Sequence, residues 1–130
     1  MRKPDSAFAI IRRGESILLV KPRRKDLWNL PGGRLAPEET PRQAVVREVW
    51  EETGLSAIIV RHTLTHFRED RSRAFVYEAR VGLRTRLAGA RHEIARQEWV
   101  PLREASRLLS PGAKTRLTHA LRMIRKGRPA

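Results

Sequence analysis

The alternation of apolar and polar positions divides the chain into short strand segments joined by polar turns. Two aliphatic runs near the N-terminus are separated by Gly14–Glu15 and predict a β-hairpin. Two longer alternating runs in the middle of the chain predict further strands on either side of a turn at Arg68–Ser72. The predicted strands are Ala7–Arg13, Ser16–Lys21, Ala57–Phe67, Arg73–Arg80 and Glu98–Leu102, and Leu87–Gln97 is predicted as a loop.

A helix is predicted between the two groups of strands. Thr40 is a good N-cap residue, and Pro41 suits the first helical position because its ring fixes the backbone angle that a helix needs. Gly54 is well suited to end the helix as a C-cap. The apolar stripe that this helix is expected to bury consists of Ala44, Val45 and Val49.

Two more helices are predicted near the C-terminus, a short one over Arg103–Leu109 and a last one opened by Ser110 and Pro111. The apolar face of the last helix is made by Ala113, Leu117, Ala120, Leu121 and Ile124. The order of strands, helix, strands and helices predicts an α/β or α+β fold with helices packed on a mixed sheet. A chain of 130 residues is expected to form a single domain over residues 1–130.

The net charge is +14, from 28 basic and 14 acidic residues, and it is unevenly distributed. The segment Gly33–Leu55 contains five acids and three bases, whereas the remainder contains 25 bases and nine acids. An acidic segment in a basic protein suits a site where metal ions meet a polyanionic substrate. A solubilising surface is an equally good explanation for any single arginine.

Composition also excludes several classes of protein. The chain has no cysteine, so disulfides, thiolate nucleophiles and cysteine-built zinc sites are excluded. The N-terminus lacks the apolar core of a signal peptide, and no apolar run reaches the length of a membrane span. A soluble cytoplasmic protein that does not bind membranes, either a monomer or a homodimer, is therefore expected.

Three glutamates of the predicted middle helix lie within one and a half turns. Residues three and four apart share a helix face, so Glu48 is expected beside both Glu51 and Glu52. Like charges at this spacing repel, and a hard divalent cation such as Mg²⁺ binds carboxylate oxygens together with phosphate and water. The alternative is a solvated helix face with ion pairs, for example between Glu48 and its neighbour Arg47.

The spacing of residues around these glutamates resembles the complete signature of the Nudix hydrolases, the MutT-like family. The matching positions are Gly33, five residues, Glu39, seven residues, Arg47–Glu48–Val49, one residue, Glu51–Glu52, one residue and Gly54–Leu55. The resemblance implies an α/β/α sandwich with a mixed sheet between helices. It also implies Mg²⁺- or Mn²⁺-dependent hydrolysis of a nucleoside diphosphate linked to another group.

The resemblance further implies a role for each matching side chain. Arg47 would orient the glutamates, and Glu39 would support them from behind. Either Glu48 or Glu51 would take the proton from the attacking water. The implied metal ligands are Glu48, Glu51, Glu52 and the Gly33 carbonyl.

Members of this family often carry a further metal-binding or basic glutamate in a loop before a late Glu–Trp strand. Glu93 and Glu98 both precede Trp99 and both qualify. Glu93 is the preferred candidate because it falls in the predicted loop. The alternative for Glu98 is an ion pair at the end of a strand.

Substrate contacts are predicted ahead of the glycine pair. Trp28 is the best aromatic candidate to line the pocket, although an aromatic residue more often packs in a core. Arg23 and Arg24 are candidate phosphate contacts, against the alternative of a solvated basic loop.

The substrate itself is left open by the sequence. Nucleoside triphosphates, including oxidised ones, and 5′-triphosphate RNA are the remaining candidates for an enzyme. A non-catalytic nucleic-acid-binding module that uses the basic surface is a further alternative, and its affinity would fall steeply with salt. A regulatory or scaffold protein on the same fold without catalysis is another alternative; an eroded acidic motif would favour it, and this motif is intact.

Overall fold

The computed structural model describes residues 3–82 and 94–126. Its strands are β1 (Ser6–Arg13), β2 (Ser16–Pro22), β3 (Gly32–Arg34), β4 (Ala57–Phe67), β5 (Arg73–Val81) and β6 (Ile94–Pro101). Its helices are α1 (Pro41–Thr53), α2 (Leu102–Leu108) and α3 (Pro111–Lys126). None of these helices is both long and apolar enough to cross a membrane.

The six strands form one mixed sheet in the order β4, β5, β1, β2, β6, with β3 also paired to β1. Strand β1 runs parallel to β5 and antiparallel to β2 and β3. Strands pair with β1 on both of its edges, and helices cover both faces of the sheet, so its apolar residues are buried on both faces. This strand is the centre of the molecule.

Alternate side chains of β1 belong to two different hydrophobic cores. Phe8 and Ile10 pack in the core that α2 and α3 cover. Ala7, Ala9 and Ile11 pack in the core that α1 covers. This two-residue period is the geometry of an extended strand with helices on both faces. The expected α/β/α sandwich is thus confirmed.

Helix α1 begins and ends where its local sequence predicts. The Thr40 side chain accepts a hydrogen bond from the backbone N–H of Gln43, and the Gln43 side chain accepts one from the backbone N–H of Thr40. This reciprocal arrangement is a capping box. At the other end Gly54 adopts φ 74°, a left-handed conformation that glycine reaches without a steric penalty.

The prediction of a loop over Leu87–Gln97 is wrong at its C-terminal end, because β6 already begins at Ile94. Backbone pairing with β2 extends this strand, with Val20 opposite Gln97 and Leu19 opposite Glu98. Polar side chains at an exposed sheet edge give no alternating signal, so the sequence pattern does not reveal the pairing. Glu93 lies outside the described residues.

Candidate active site

The site lies where the glycine pair of β3 meets the C-terminal half of α1. Gly32 has φ 150°, and a Cβ atom there would collide with the Ala7 carbonyl and with the Phe8 ring. The backbone N–H of Gly32 donates a hydrogen bond of 2.9 Å to Glu52 Oε1. Glycine at this position therefore allows β3 to approach both β1 and the helix.

Gly33 is constrained from the opposite side. A Cβ atom at Gly33 would overlap the Glu48 carboxylate, so only glycine leaves room for that side chain. Both Glu48 and Glu52 are buried, with 4% and 8% of their surface exposed. The glycine pair thus packs directly against two of the three predicted metal ligands.

Arg47 connects the remaining acidic side chains. Its Nη1 donates to Glu48 Oε1 and to Glu51 Oε1, at 2.7 Å each. Its Nε and Nη2 donate to the two carboxylate oxygens of Glu39, at 2.7 and 2.9 Å. Such bidentate, charge-assisted contacts fix the geometry as well as stabilise it. Arg47 therefore touches three carboxylates at once, in line with its implied orienting role.

Two further groups hold this network, and sequence reasoning missed both. The carbonyl of Arg34 accepts a hydrogen bond of 3.0 Å from Arg47 Nη2. The backbone N–H of Ala36 donates to Glu39 Oε1 at 2.8 Å. Both are backbone groups, so residue type gives no signal for them.

The contacts shift the protonation of the paired groups. The hydrogen bonds from Arg47 lower the pKa of Glu39 below its usual value of 4.5. In return, the carboxylate of Glu39, followed by those of Glu48 and Glu51, raises the pKa of Arg47 far above its usual value. Glu39 and Arg47 are therefore both charged across the physiological pH range.

The oxygen atoms gathered at this site are of the kind that binds a hard divalent cation. Three carboxylates from adjacent turns of one helix lie beside a backbone that approaches them at Gly33. Within residues 3–82 and 94–126, no group of three or more His, Asp or Glu side chains is already arranged as a metal cage. Arg47 and Gly32 hold the carboxylate oxygens instead, and the assignment of metal ligands stays a prediction.

The other candidates lie away from this network. Glu98 is on β6, where its half-exposed side chain pairs with Arg96 at 3.3 Å. Trp28 is 7% exposed and packs in the core that α2 and α3 cover, on the opposite sheet face from α1. Arg23 and Arg24 are exposed on the loop after β2. Their substrate contacts stay predictions.

Comparison with known proteins assigns the family. The model of the NUDIX domain matches residues 2–121. The chain belongs to the NUDIX family. Among solved structures, that of the Escherichia coli ORF135 protein resembles this NUDIX chain with a TM-score of 0.72 and 32% identity, covering 100% of this chain and 96% of that one.

Two curated relatives match parts of the NUDIX chain. A Bacillus subtilis (strain 168) protein, provisionally described as an 8-oxo-dGTP diphosphatase, is 48% identical over 56 residues, which are 42% of this chain and 38% of that protein. The CTP pyrophosphohydrolase of Escherichia coli (strain K12) is 40% identical over 73 residues, which are 53% of this chain and 54% of that protein. The matches therefore span only about half, or less, of each relative.

Proposed function

We propose that this chain is a metal-dependent hydrolase of a pyrophosphate bond in a nucleoside diphosphate linked to another group. A nucleoside triphosphate is the favoured substrate, and the products are a nucleoside monophosphate and pyrophosphate. The observation that carries the proposal is the contact of one guanidinium, that of Arg47, with the carboxylates of Glu39, Glu48 and Glu51 beside the glycine pair.

A bound Mg²⁺ or Mn²⁺ would neutralise charge on the phosphate oxygens and lower the pKa of the attacking water. The residues that would hold it are Glu48, Glu51, Glu52 and the Gly33 carbonyl, with Glu93 as a further candidate. Their chemistry fits the ion, since Mg²⁺ and Mn²⁺ prefer oxygen ligands.

The chain's own residues supply position and proton transfer. Arg47 fixes the carboxylates of Glu48 and Glu51 through its Nη1, and Glu39 fixes Arg47 through two hydrogen bonds. Either Glu48 or Glu51 accepts the proton of the attacking water. A small displacement of the carboxylate that accepts the proton would slow catalysis strongly, and the several contacts of Arg47 prevent such a displacement.

Two observations support a nucleotide polyphosphate as the substrate class. The matched relatives are described as acting on CTP and, provisionally, on 8-oxo-dGTP. The basic residues outside the acidic segment raise the local concentration of polyanions, and Arg23 and Arg24 are candidate phosphate contacts.

The test is a release assay on the whole chain with Mg²⁺ and a panel of nucleoside triphosphates, oxidised nucleotides, nucleotide sugars and triphosphorylated RNA. The variant Glu52→Gln is expected to lower turnover of the best substrate by about three orders of magnitude, because it removes a predicted metal ligand worth several kcal/mol. The amide oxygen of glutamine still accepts the Gly32 N–H, so the circular dichroism spectrum and the melting temperature are expected to change little.

The matched control is Glu104→Gln on α2, an acid that pairs only with Arg107 at the surface among the described residues. This variant is expected to keep full turnover. Undiminished turnover in Glu52→Gln would reject the proposed site. Silence across the whole panel in the presence of metal would reject the proposed reaction.

A further inference from the structure

A second charged site lies on the other face of the sheet, at Arg116 on the inner side of α3. Only 6% of Arg116 is exposed. Its Nε has no hydrogen-bond partner among residues 3–82 and 94–126. The side chain leans back toward the start of α3, because a Cβ atom at Gly112 would lie 3.2 Å from Arg116 Nη1.

The groups around Arg116 are aromatic or basic. Its guanidinium lies 4.4 Å from the centre of the Phe8 ring. Burial and then the positive charge of Arg68 lower the pKa of Arg116 to about 10, so it stays charged at neutral pH. Burial, followed by Arg116, Arg68 and His119, lowers the pKa of His66 below 6.5. The buried Nδ1 of His66 also has no partner in the described part of the chain.

The nearest acids along the chain do not neutralise this cluster. Glu69 and Asp70 belong to the turn that contains Arg68, but the Asp70 carboxylate accepts hydrogen bonds from Lys3 and Ser72. Arg68 itself donates to the Ser72 hydroxyl at 3.0 Å. Within residues 3–82 and 94–126, neither Arg68 nor Arg116 forms an ion pair.

A buried guanidinium without an anion is unfavourable, because desolvation is not repaid by a partner charge. The Phe8 ring offsets part of this cost through a cation–π contact. Arg68 and the positive end of α3 add to the cost, since both repel a cation. An oxyanion would supply the missing counterion, and the Nε–H of Arg116 has no acceptor among the described residues.

The cluster is close to the predicted active site through one strand. Phe8 pairs with Gly32 across β1 and β3, and Gly32 donates to Glu52. Phe8 and Gly32 therefore lie between Arg116 and Glu52, and the sheet separates the two charged sites. A phosphate group held at Arg116 would lie across β1 from the carboxylates.

We propose that Arg116, Arg68 and His66 form an oxyanion-binding site, on the sheet face opposite α1, that takes a phosphate group. The phosphate belongs either to a distal part of the substrate or to a free inorganic ion. This site is separate from the proposed hydrolysis, because it follows from the burial and the positive charge of Arg116 on α3. Its first test therefore needs no catalytic activity.

The first test measures the melting temperature of the whole chain in EDTA while potassium phosphate replaces potassium chloride at constant ionic strength. Without divalent metal the acidic site repels phosphate. A ligand that binds only the native state stabilises it by mass action, and a rise on the order of 5 °C is expected at saturating phosphate. Absence of any rise in the wild-type protein would overturn the proposal.

The variant Arg116→Met separates a binding role from a structural one. It is expected to melt at a higher temperature than the wild type in phosphate-free buffer, because it removes the buried unpaired charge, and to lose the phosphate-dependent rise. The control Arg122→Met removes an exposed arginine of the same helix and is expected to keep the rise. An equal rise in Arg116→Met and wild type would overturn the proposal.

Arg68→Met provides a second variant that leaves the core under α3 intact. In this variant, the phosphate concentration that gives half of the rise in melting temperature is expected to increase at least tenfold. An unchanged concentration dependence would contradict the assignment. Initial-rate kinetics then distinguish the source of the phosphate. If inorganic phosphate competes with the substrate, and this competition is lost in Arg116→Met, the site takes a substrate phosphate. If inorganic phosphate changes kcat alone, the site takes a free ion. The melting test does not depend on turnover, so its result stands even if the chain hydrolyses no substrate.

Discussion

Two arginines on opposite faces of the sheet show how differently one residue type is used in this protein. Arg47 on α1 contacts three carboxylates, and its charge is more than balanced. Arg116 on α3 is more deeply buried and contacts an aromatic ring, with other cations nearby. The first is a preorganised ion-pair network, and the second is a buried charge that lacks a counterion within the described residues.

The two faces of the sheet differ in the sign of the ion that would balance their charge. The α1 face gathers more negative than positive charge, so a cation completes it. On the α3 face the described charged groups that act on Arg116 and His66 are basic, so an anion would balance them. Because the sheet separates the two sites, with a packed core on each face, each site would take its own ion.

The largest effect is expected from removing the guanidinium of Arg47, whose charge is balanced by carboxylates. Arg47→Met leaves Glu39, Glu48 and Glu51 without the group that holds them, and turnover is expected to fall by about 100-fold through loss of orientation. The free energy of unfolding is expected to fall by about 2 kcal/mol, because charge-assisted hydrogen bonds are lost. Urea unfolding and initial rates measure the two effects.

The control for this variant is Arg107→Met, which breaks a surface pair with Glu104 at 3.1 Å. A change within about 0.5 kcal/mol is expected there, because exposed ion pairs contribute little. If the two variants lose equal stability, the Arg47 network is not special.

A smaller effect on turnover is expected from crowding the carboxylates without removing a charge. Gly33→Ala places a methyl group where the Glu48 carboxylate lies. The unfolding free energy is expected to fall by about 1–3 kcal/mol from overpacking, with lower turnover. Gly82→Ala is the matched control, since among residues 3–82 and 94–126 nothing lies within 4 Å of its added methyl group. Equal turnover in both variants would show that Glu48 tolerates displacement.

The smallest effects concern the dependence of stability on pH. On both faces the free energy of unfolding is expected to fall as pH falls, but the stabilising form is neutral for His66 and charged for Glu39. His66 has a pKa lowered below 6.5, so its neutral form stabilises the native state, and this stability is lost as pH falls below 6.5. Glu39 has a pKa lowered below 4.5, so its charged form stabilises the native state, and this stability is lost as pH falls below 4.5.

Urea unfolding from about pH 8 to about pH 3 distinguishes the two groups. His66→Gln is expected to flatten the first decline only, and Glu39→Gln is expected to flatten the second decline only. A first decline that survives in His66→Gln would assign that loss of stability to another group.

The sequence predicts most of α1 and its site because the determinants are local. Thr40, Pro41 and Gly54 set the helix bounds by capping, and the spacing of the glutamates sets their shared face. The contact between Arg47 and Glu39 spans only eight residues along the chain. These interactions need no information about distant segments.

What the sequence does not predict depends on contacts between distant segments. The start of β6 at Ile94 follows from pairing with β2, which its polar side chains do not indicate. The burial of Arg116 follows from packing of α3 on Phe8. The one local signal was an arginine three residues after Ala113, within the apolar face of α3, where a charged residue is out of place.

Binding of Mn²⁺ to the wild-type chain and to Glu52→Gln tests whether the α1 carboxylates hold the metal. Electron paramagnetic resonance of free Mn²⁺ measures this binding without a substrate. We expect a saturable site in the wild type that is weakened at least tenfold in Glu52→Gln and unchanged in Glu104→Gln. Equal Mn²⁺ binding by all three proteins would contradict it.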